Sequence, residues 1–160
     1  MIHSGGDSQR LPCQSVTGKA WSTLPTCNRQ NELDAPVDLL LQSLFDLFVD
    51  VPAGLVVASS DVLLLIPPGF RPTWPMLGAT GLAIPTEKAL GPNHGVYQVA
   101  AEGGNVRVVD KFWQKATVPE LAAAGAVRSD ETVLIDTGVS QSGVVCEGVG
   151  MSCIHCLLPS

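Results

Sequence analysis

The sequence predicts an α/β fold with a mainly parallel sheet and a β-hairpin insertion. Three observations predict it. Apolar residues recur at helical spacing over residues 37–48. A continuous apolar run follows at Leu55-Val56-Val57-Ala58-Ser59-Ser60. Further short apolar runs then alternate with a second helical signal near residue 120. Helices that alternate with buried strands are the pattern of a sheet covered by helices.

Thr26 to Leu33 reads as surface loop. Asp34 is placed to cap the first helix, with Pro36 in its first turn. Val37, Leu40, Leu41, Leu44, Phe45 and Phe48 fall on one helical face, and Asp38, Gln42, Ser43 and Asp46 on the other. The helix is expected to pack on a sheet and to end before Pro52-Ala53-Gly54. The run from Leu55 to Ser60 has the composition of a parallel strand covered on both faces, with Asp61 just past its carboxyl end. Val62 to Ile66 fits either a strand or a buried helical turn. Ala79 to Ile84 and Gly95 to Ala101 read as strands. Glu102-Gly103-Gly104-Asn105 reads as a turn, and Val106 to Trp113 as the strand that returns from it. Thr117 with Glu120 matches a capping box, and the short helix behind it stops at Gly125. Thr132 to Asp136 is one more strand. No internal repeat appears, and no linker divides the chain.

Composition narrows the function. Of 160 residues, 46% are hydrophobic and 15% charged, which predicts one folded core. A net charge of −6 argues against a nucleic-acid surface. No apolar run approaches the ~18 residues of a membrane span. The first residues lack a secretory signature, so the five cysteines are expected as reduced thiols in the cytoplasm. Cys146, Cys153, His155 and Cys156 match no paired zinc spacing and read as plain thiols.

The run His3 to Pro12, with Gly18-Lys19 behind it, carries the chemistry. Gly5 and Gly6 let backbone N–H groups approach a phosphate. Arg10 can grip two phosphate oxygens at once, and Lys19 adds a point charge. The spacing is neither that of a Walker loop nor that of the dinucleotide fingerprint. Taken alone, the run fits either a phosphate cradle or an ordinary glycine turn with a surface arginine.

Gly5-Gly6-Asp7-Ser8-Gln9-Arg10-Leu11-Pro12, followed by Gly18-Lys19 and Leu24-Pro25, resembles the signature of sugar-nucleotide pyrophosphorylases. More closely, it is similar to the GDP-L-fucose pyrophosphorylase family, which includes fucose-1-phosphate guanylyltransferase and the N-terminal region of fucokinase proteins. The likeness continues at Asn93-His94-Gly95-Val96-Tyr97, at Lys111-Phe112-Trp113-Gln114-Lys115 and at Val133 to Gly138. The resemblance implies a transferase with a Rossmann-like nucleotidyltransferase fold over residues 1–139. Residues 140–160 are then a divergent tail expected to lack order.

It implies that a sugar 1-phosphate oxygen attacks the α-phosphorus of GTP and that pyrophosphate leaves. By the same carry-over, Gly5, Gly6, Ser8 and Arg10 bind the nucleotide, and Arg10 and Lys19 are catalytic. His94, Lys115 and Asp136 bind the sugar phosphate. Asp61 holds the Mg²⁺ that accompanies GTP. The family's Phe-x-Glu-Lys-Pro segment is here Phe112-Trp113-Gln114-Lys115-Ala116, which makes Lys111 a rival to Lys115. The resemblance opens inside a strand and fades near residue 140, so the chain is expected to be a fragment. Two alternatives stand beside an active transferase. One is a piece of a fucokinase protein without its kinase domain. The other is a truncated binding module without catalysis.

Overall fold

The computed structural model describes residues 18–27, 30–59, 62–67, 70–72, 74–75, 78–100, 105–143 and 154–157, the last four as backbone alone. They fall into two compact units. One comprises Met1–Asp50 with Ser59–Gly69, the other Val51–Ala58 with Phe70–Ser160. Gly5, Gly6, Ser8, Arg10 and Asp61 lie outside the described residues, as does the turn expected at residues 102–104.

In the first unit, helix α1 spans Pro36–Leu47. Its N-cap is Ala35, one residue later than the spacing predicts. Asp34 is buried instead, and its backbone bonds across to Leu24 and Thr26. The carboxylate of Asp38 accepts a hydrogen bond from the Ala35 N–H at 2.9 Å, which covers one orphan donor of the first turn. Val37, Leu40 and Leu47 are buried, while Phe45 is 74% exposed. The Ser43 hydroxyl sits 3.1 Å from the Leu39 carbonyl and 3.0 Å from that of Leu64. It ties the helix to residues 62–67, which form neither a strand nor a helical turn.

The second unit is built on a six-stranded sheet: β1 (Gly54–Ala58), β2 (Ala79–Glu87), β3 (Gly95–Val99), β4 (Val106–Gln114), β5 (Thr132–Gly143) and β6 (Ile154–Leu157). The pairings run β5 to β2, β2 to β6, β6 to β4, β4 to β3 and β3 back to β5, with β1 attached to β5. Among the described residues only β2 with β6 is parallel, and every other strand pairing is antiparallel. The expectation of a mainly parallel, Rossmann-like sheet is therefore wrong. A parallel pair needs a long crossover, usually a helix, whereas β3 and β4 are sequence neighbours that pair antiparallel. In this unit the described residues contain one α-helix, α2 (Val118–Ala123), too little to cover two sheet faces.

The run read as a covered parallel strand is β1. Among the described residues it pairs with β5 alone, antiparallel, and Leu55 and Val57 are 65% and 55% exposed. β5 runs on past Asp136 to Gly143, and β6 arises from the segment expected to lack order.

Alternation along the strands sorts the core into two clusters. Val96 and Val133 pack with Ala116, Leu121 and Ala126 on the α2 side. Tyr97 and Leu134 pack with Ala83 on the other. The ends of α2 follow the expected chemistry. The Glu120 carboxylate accepts from the Thr117 N–H (2.8 Å) and hydroxyl (2.6 Å). The Thr117 hydroxyl, then its N–H, holds the Glu120 carboxyl below its ordinary range. This contribution is present above the usual glutamate range and is lost as pH falls through the lowered value. At the other end Gly125 takes φ 74°, and the Ala126 N–H reaches the Leu121 carbonyl at 2.9 Å. That is a Schellman closure, which requires the left-handed residue that glycine supplies.

Thr80 and Gln141 face each other across β2 and β5. Both are buried, and neither the Thr80 hydroxyl nor the Gln141 carboxamide has a hydrogen-bond partner among the described residues. An unsatisfied buried hydroxyl costs about 1–3 kcal/mol. Thr80→Val is expected to raise stability by about 1 kcal/mol in urea titration. A loss of stability would show that the hydroxyl is satisfied in solution.

Candidate functional site

The hairpin of β3 and β4 brings two sequence-predicted residues together. Lys115 follows β4, His94 precedes β3, and the Lys115 N–H donates to the His94 carbonyl at 3.1 Å. Both side chains are exposed. Lys115 adopts φ 52°, a left-handed conformation that turns the chain out of the strand. Its ammonium has no partner among the described residues. Lys111 is otherwise engaged, since its ammonium lies 3.6 Å over the Trp113 ring. That contact is a cation–π pair. The indole N–H of Trp113 donates to the Gln98 carboxamide oxygen at 2.8 Å.

β5 brings the third residue to the same end of the sheet. Val96 pairs with Ile135 and Tyr97 with Leu134, so the next step of that register sets Gly95 level with Asp136. Gly95 also pairs with Gln114. The backbones of Asp136, His94 and Lys115 therefore lie within one step of each other across three adjacent strands, with Asp136 on the Tyr97 face and His94, two residues before Val96, on the α2 face. The expectation that Asp136 ends its strand is corrected: Asp136 starts a bulge.

Between the pairs Ala83–Asp136 and Gly81–Ser140, β2 has Leu82 alone while β5 has Thr137, Gly138 and Val139. Gly138 takes φ 73° to make that turn. The Thr137 hydroxyl donates to the Leu82 carbonyl at 2.8 Å and accepts from the Val139 N–H at 3.3 Å, which satisfies the broken ladder.

The bulge fixes the carboxylate. Asp136 Oδ1 accepts from the Gly138 N–H at 3.0 Å and from the Tyr97 hydroxyl at 2.9 Å. Oδ2 has no partner among the described residues. A side chain at Gly81 would overlap the Tyr97 hydroxyl, so glycine there leaves room for that hydroxyl. Residue-by-residue reading missed Tyr97 and Gly81. A signal existed for the first: Tyr97 is the chain's single tyrosine, set in an apolar strand, and a buried phenol needs an acceptor.

Lys19 belongs to the first unit. It opens a 3-10 turn, Lys19–Trp21, after Gly18 at φ 78°, and its side chain is exposed. Among the described residues no three His, Cys, Asp or Glu side chains gather to hold a metal, and no helix is long and apolar enough to cross a membrane.

Residues 1–144 match the fucose pyrophosphorylase domain. The chain is 32% identical over 151 aligned residues to an Arabidopsis thaliana protein named bifunctional fucokinase/GDP-fucose pyrophosphorylase, covering 87% of this chain and 14% of that one. It is 30% identical over 139 residues to a Mus musculus fucose-1-phosphate guanylyltransferase, covering 79% and 22%. For the Homo sapiens protein of that name the identity is 34% over 105 residues, covering 61% and 16%. The chain thus spans about a seventh to a fifth of the length of these relatives. With nine-tenths of its length inside the matched domain, the chain belongs to the fucose pyrophosphorylase family.

Proposed function

We propose that this chain carries a sugar 1-phosphate site at the β3–β4–β5 end of its sheet and takes part in forming GDP-L-fucose from GTP and L-fucose 1-phosphate. The placement of His94, Lys115 and Asp136 at one end of the sheet, on neighbouring strands, carries the reading. An exposed ammonium without a partner among the described residues suits the phosphate, and a fixed carboxylate with one oxygen open among them suits a sugar hydroxyl. The His94 side chain is a further donor at the same edge.

In the reaction, a phosphate oxygen of fucose 1-phosphate attacks the α-phosphorus of GTP. The new P–O bond forms as the bond to the β-phosphate breaks, and pyrophosphate leaves with the electron pair. Such transfers depend on alignment and charge neutralisation. Gly5, Gly6 and Ser8 would receive the nucleotide phosphates. Arg10 and Lys19 would balance the charge that develops during transfer. Asp61 would hold the Mg²⁺ that accompanies GTP, and the ion would add to the charge neutralisation. The cytoplasm, which supplies GTP, is the proposed compartment.

The test is direct. The protein is incubated with GTP, Mg²⁺ and fucose 1-phosphate, and GDP-fucose and pyrophosphate are measured together. Equal amounts of both are expected. Pyrophosphate without GDP-fucose, or neither product, would overturn the reading.

A further inference from the structure

Phe112 has no part in the chemistry above, yet it is 43% exposed beside the proposed sugar site. Phe112 pairs with Tyr97, so its ring shares the face that carries Tyr97, Leu134 and Asp136. Two features hold the ring in place. A side chain at Gly95 would overlap it, so the ring lies directly over the backbone there. It also packs tilted against Tyr97, with centroids 5.2 Å apart and planes at 55°. Such tilted pairs are favoured by the ring quadrupole. The same Tyr97 donates to Asp136. A half-exposed aromatic disc and a carboxylate with one open oxygen are thus braced by a single side chain.

We propose that the Phe112 ring is the platform on which the sugar of the sugar 1-phosphate stacks. The inference rests on the reading of this end of the sheet as the sugar-phosphate site. A pyranose has an apolar face of C–H groups and a rim of hydroxyls. The C–H face suits the negative π-face of the ring, and the rim suits Asp136 Oδ2. The methyl group of a 6-deoxyhexose such as fucose adds apolar area to that stack. An analogue with a hydroxyl on that carbon gains less from the ring.

The test titrates L-fucose 1-phosphate and its 6-hydroxylated analogue into the wild type, Phe112→Leu and Phe112→Tyr. Leucine keeps apolar cover over Gly95 and tyrosine keeps the aromatic face. A thermal transition confirms that each variant folds. The platform predicts about tenfold weaker fucose 1-phosphate binding for Phe112→Leu, near wild-type binding for Phe112→Tyr, and a smaller preference for the 6-deoxy sugar in the leucine variant. In saturation-transfer NMR the sugar's C–H and methyl protons receive magnetisation from the wild type, and less from Phe112→Leu. If Phe112→Leu binds and discriminates as the wild type does, the platform is wrong while the site stands. If the wild type binds neither sugar phosphate, the site itself is wrong and the platform falls with it.

Discussion

Leu121→Ala is expected to lower the unfolding free energy of the second unit by about 2–5 kcal/mol. Leu121 is 0% exposed and packs among Val96, Ala116, Ala126 and Val133. The space left by truncation has little to fill it. A side chain at Gly91 would overlap Leu121 Cδ1, so the 3-10 segment Lys88–Asn93 already lies against this leucine. That segment is tied at its start by the Lys88 N–H, which donates to the Glu131 carbonyl at 3.3 Å, and just past its end by the His94 carbonyl, which accepts from the Lys115 N–H at 3.1 Å. A backbone held at both ends cannot collapse into the cavity. Total stability of a domain is about 5–15 kcal/mol, so the loss is a large share of it. Urea titration at unchanged m-value measures it, with Phe45→Ala on the exposed face of α1 as a control expected near zero. A change below about 1 kcal/mol for Leu121→Ala would mean that α2 does not pack on the sheet.

The second large effect is expected on catalysis. Arg10→Ala should slow guanylyl transfer by about 30- to 1000-fold, the usual scale for removing one charge-assisted contact to a reacting phosphate. The reason lies in the residue type. Guanidinium presents parallel N–H donors to two phosphate oxygens, and in the proposed site Gly5 and Gly6 would let backbone N–H groups approach the same anion. Arg10→Lys keeps the charge and loses the fork, so it should recover only part of the rate. Initial rates of GDP-fucose formation compare the three proteins. Equal rates in the wild type and Arg10→Ala would remove Arg10 from the mechanism.

Local structure was legible where its cause is local. Glu120 three residues after Thr117, and Gly125 at the far end, mark both ends of α2 because caps are made by residues within one turn. The strands read at Gly95 to Ala101 and Val106 to Trp113, close together in sequence, pair as the hairpin of β3 and β4 for the same reason. Strand direction was not legible. Leu55-Val56-Val57 has the composition of a doubly covered strand, but its partner is β5, some eighty residues away, and the pairing is antiparallel at an edge. A run of five residues holds no information on which distant strand it will meet. Gly138 misled in a related way. A glycine after Asp136 reads as a strand end, whereas here it makes a bulge within a strand of 12 residues.

The site was legible as a set of residue types and illegible as an arrangement. His94, Lys115 and Asp136 are separated in sequence and become neighbours only through two pairings of β3. The hydroxyl that holds Asp136 comes from Tyr97, across a strand pairing that residue spacing does not reveal. Gly81 matters only because the Tyr97 hydroxyl comes to lie against it.

The central claim is that this end of the sheet holds a sugar 1-phosphate. Calorimetric titration of L-fucose 1-phosphate, L-fucose and inorganic phosphate into the wild type and Lys115→Ala tests it most directly. The predicted result is tightest binding of fucose 1-phosphate by the wild type, with about a tenfold or greater loss in Lys115→Ala, as expected when a charge-assisted phosphate contact is removed. Binding of fucose 1-phosphate no tighter than that of its two parts, or unchanged in Lys115→Ala, would contradict it.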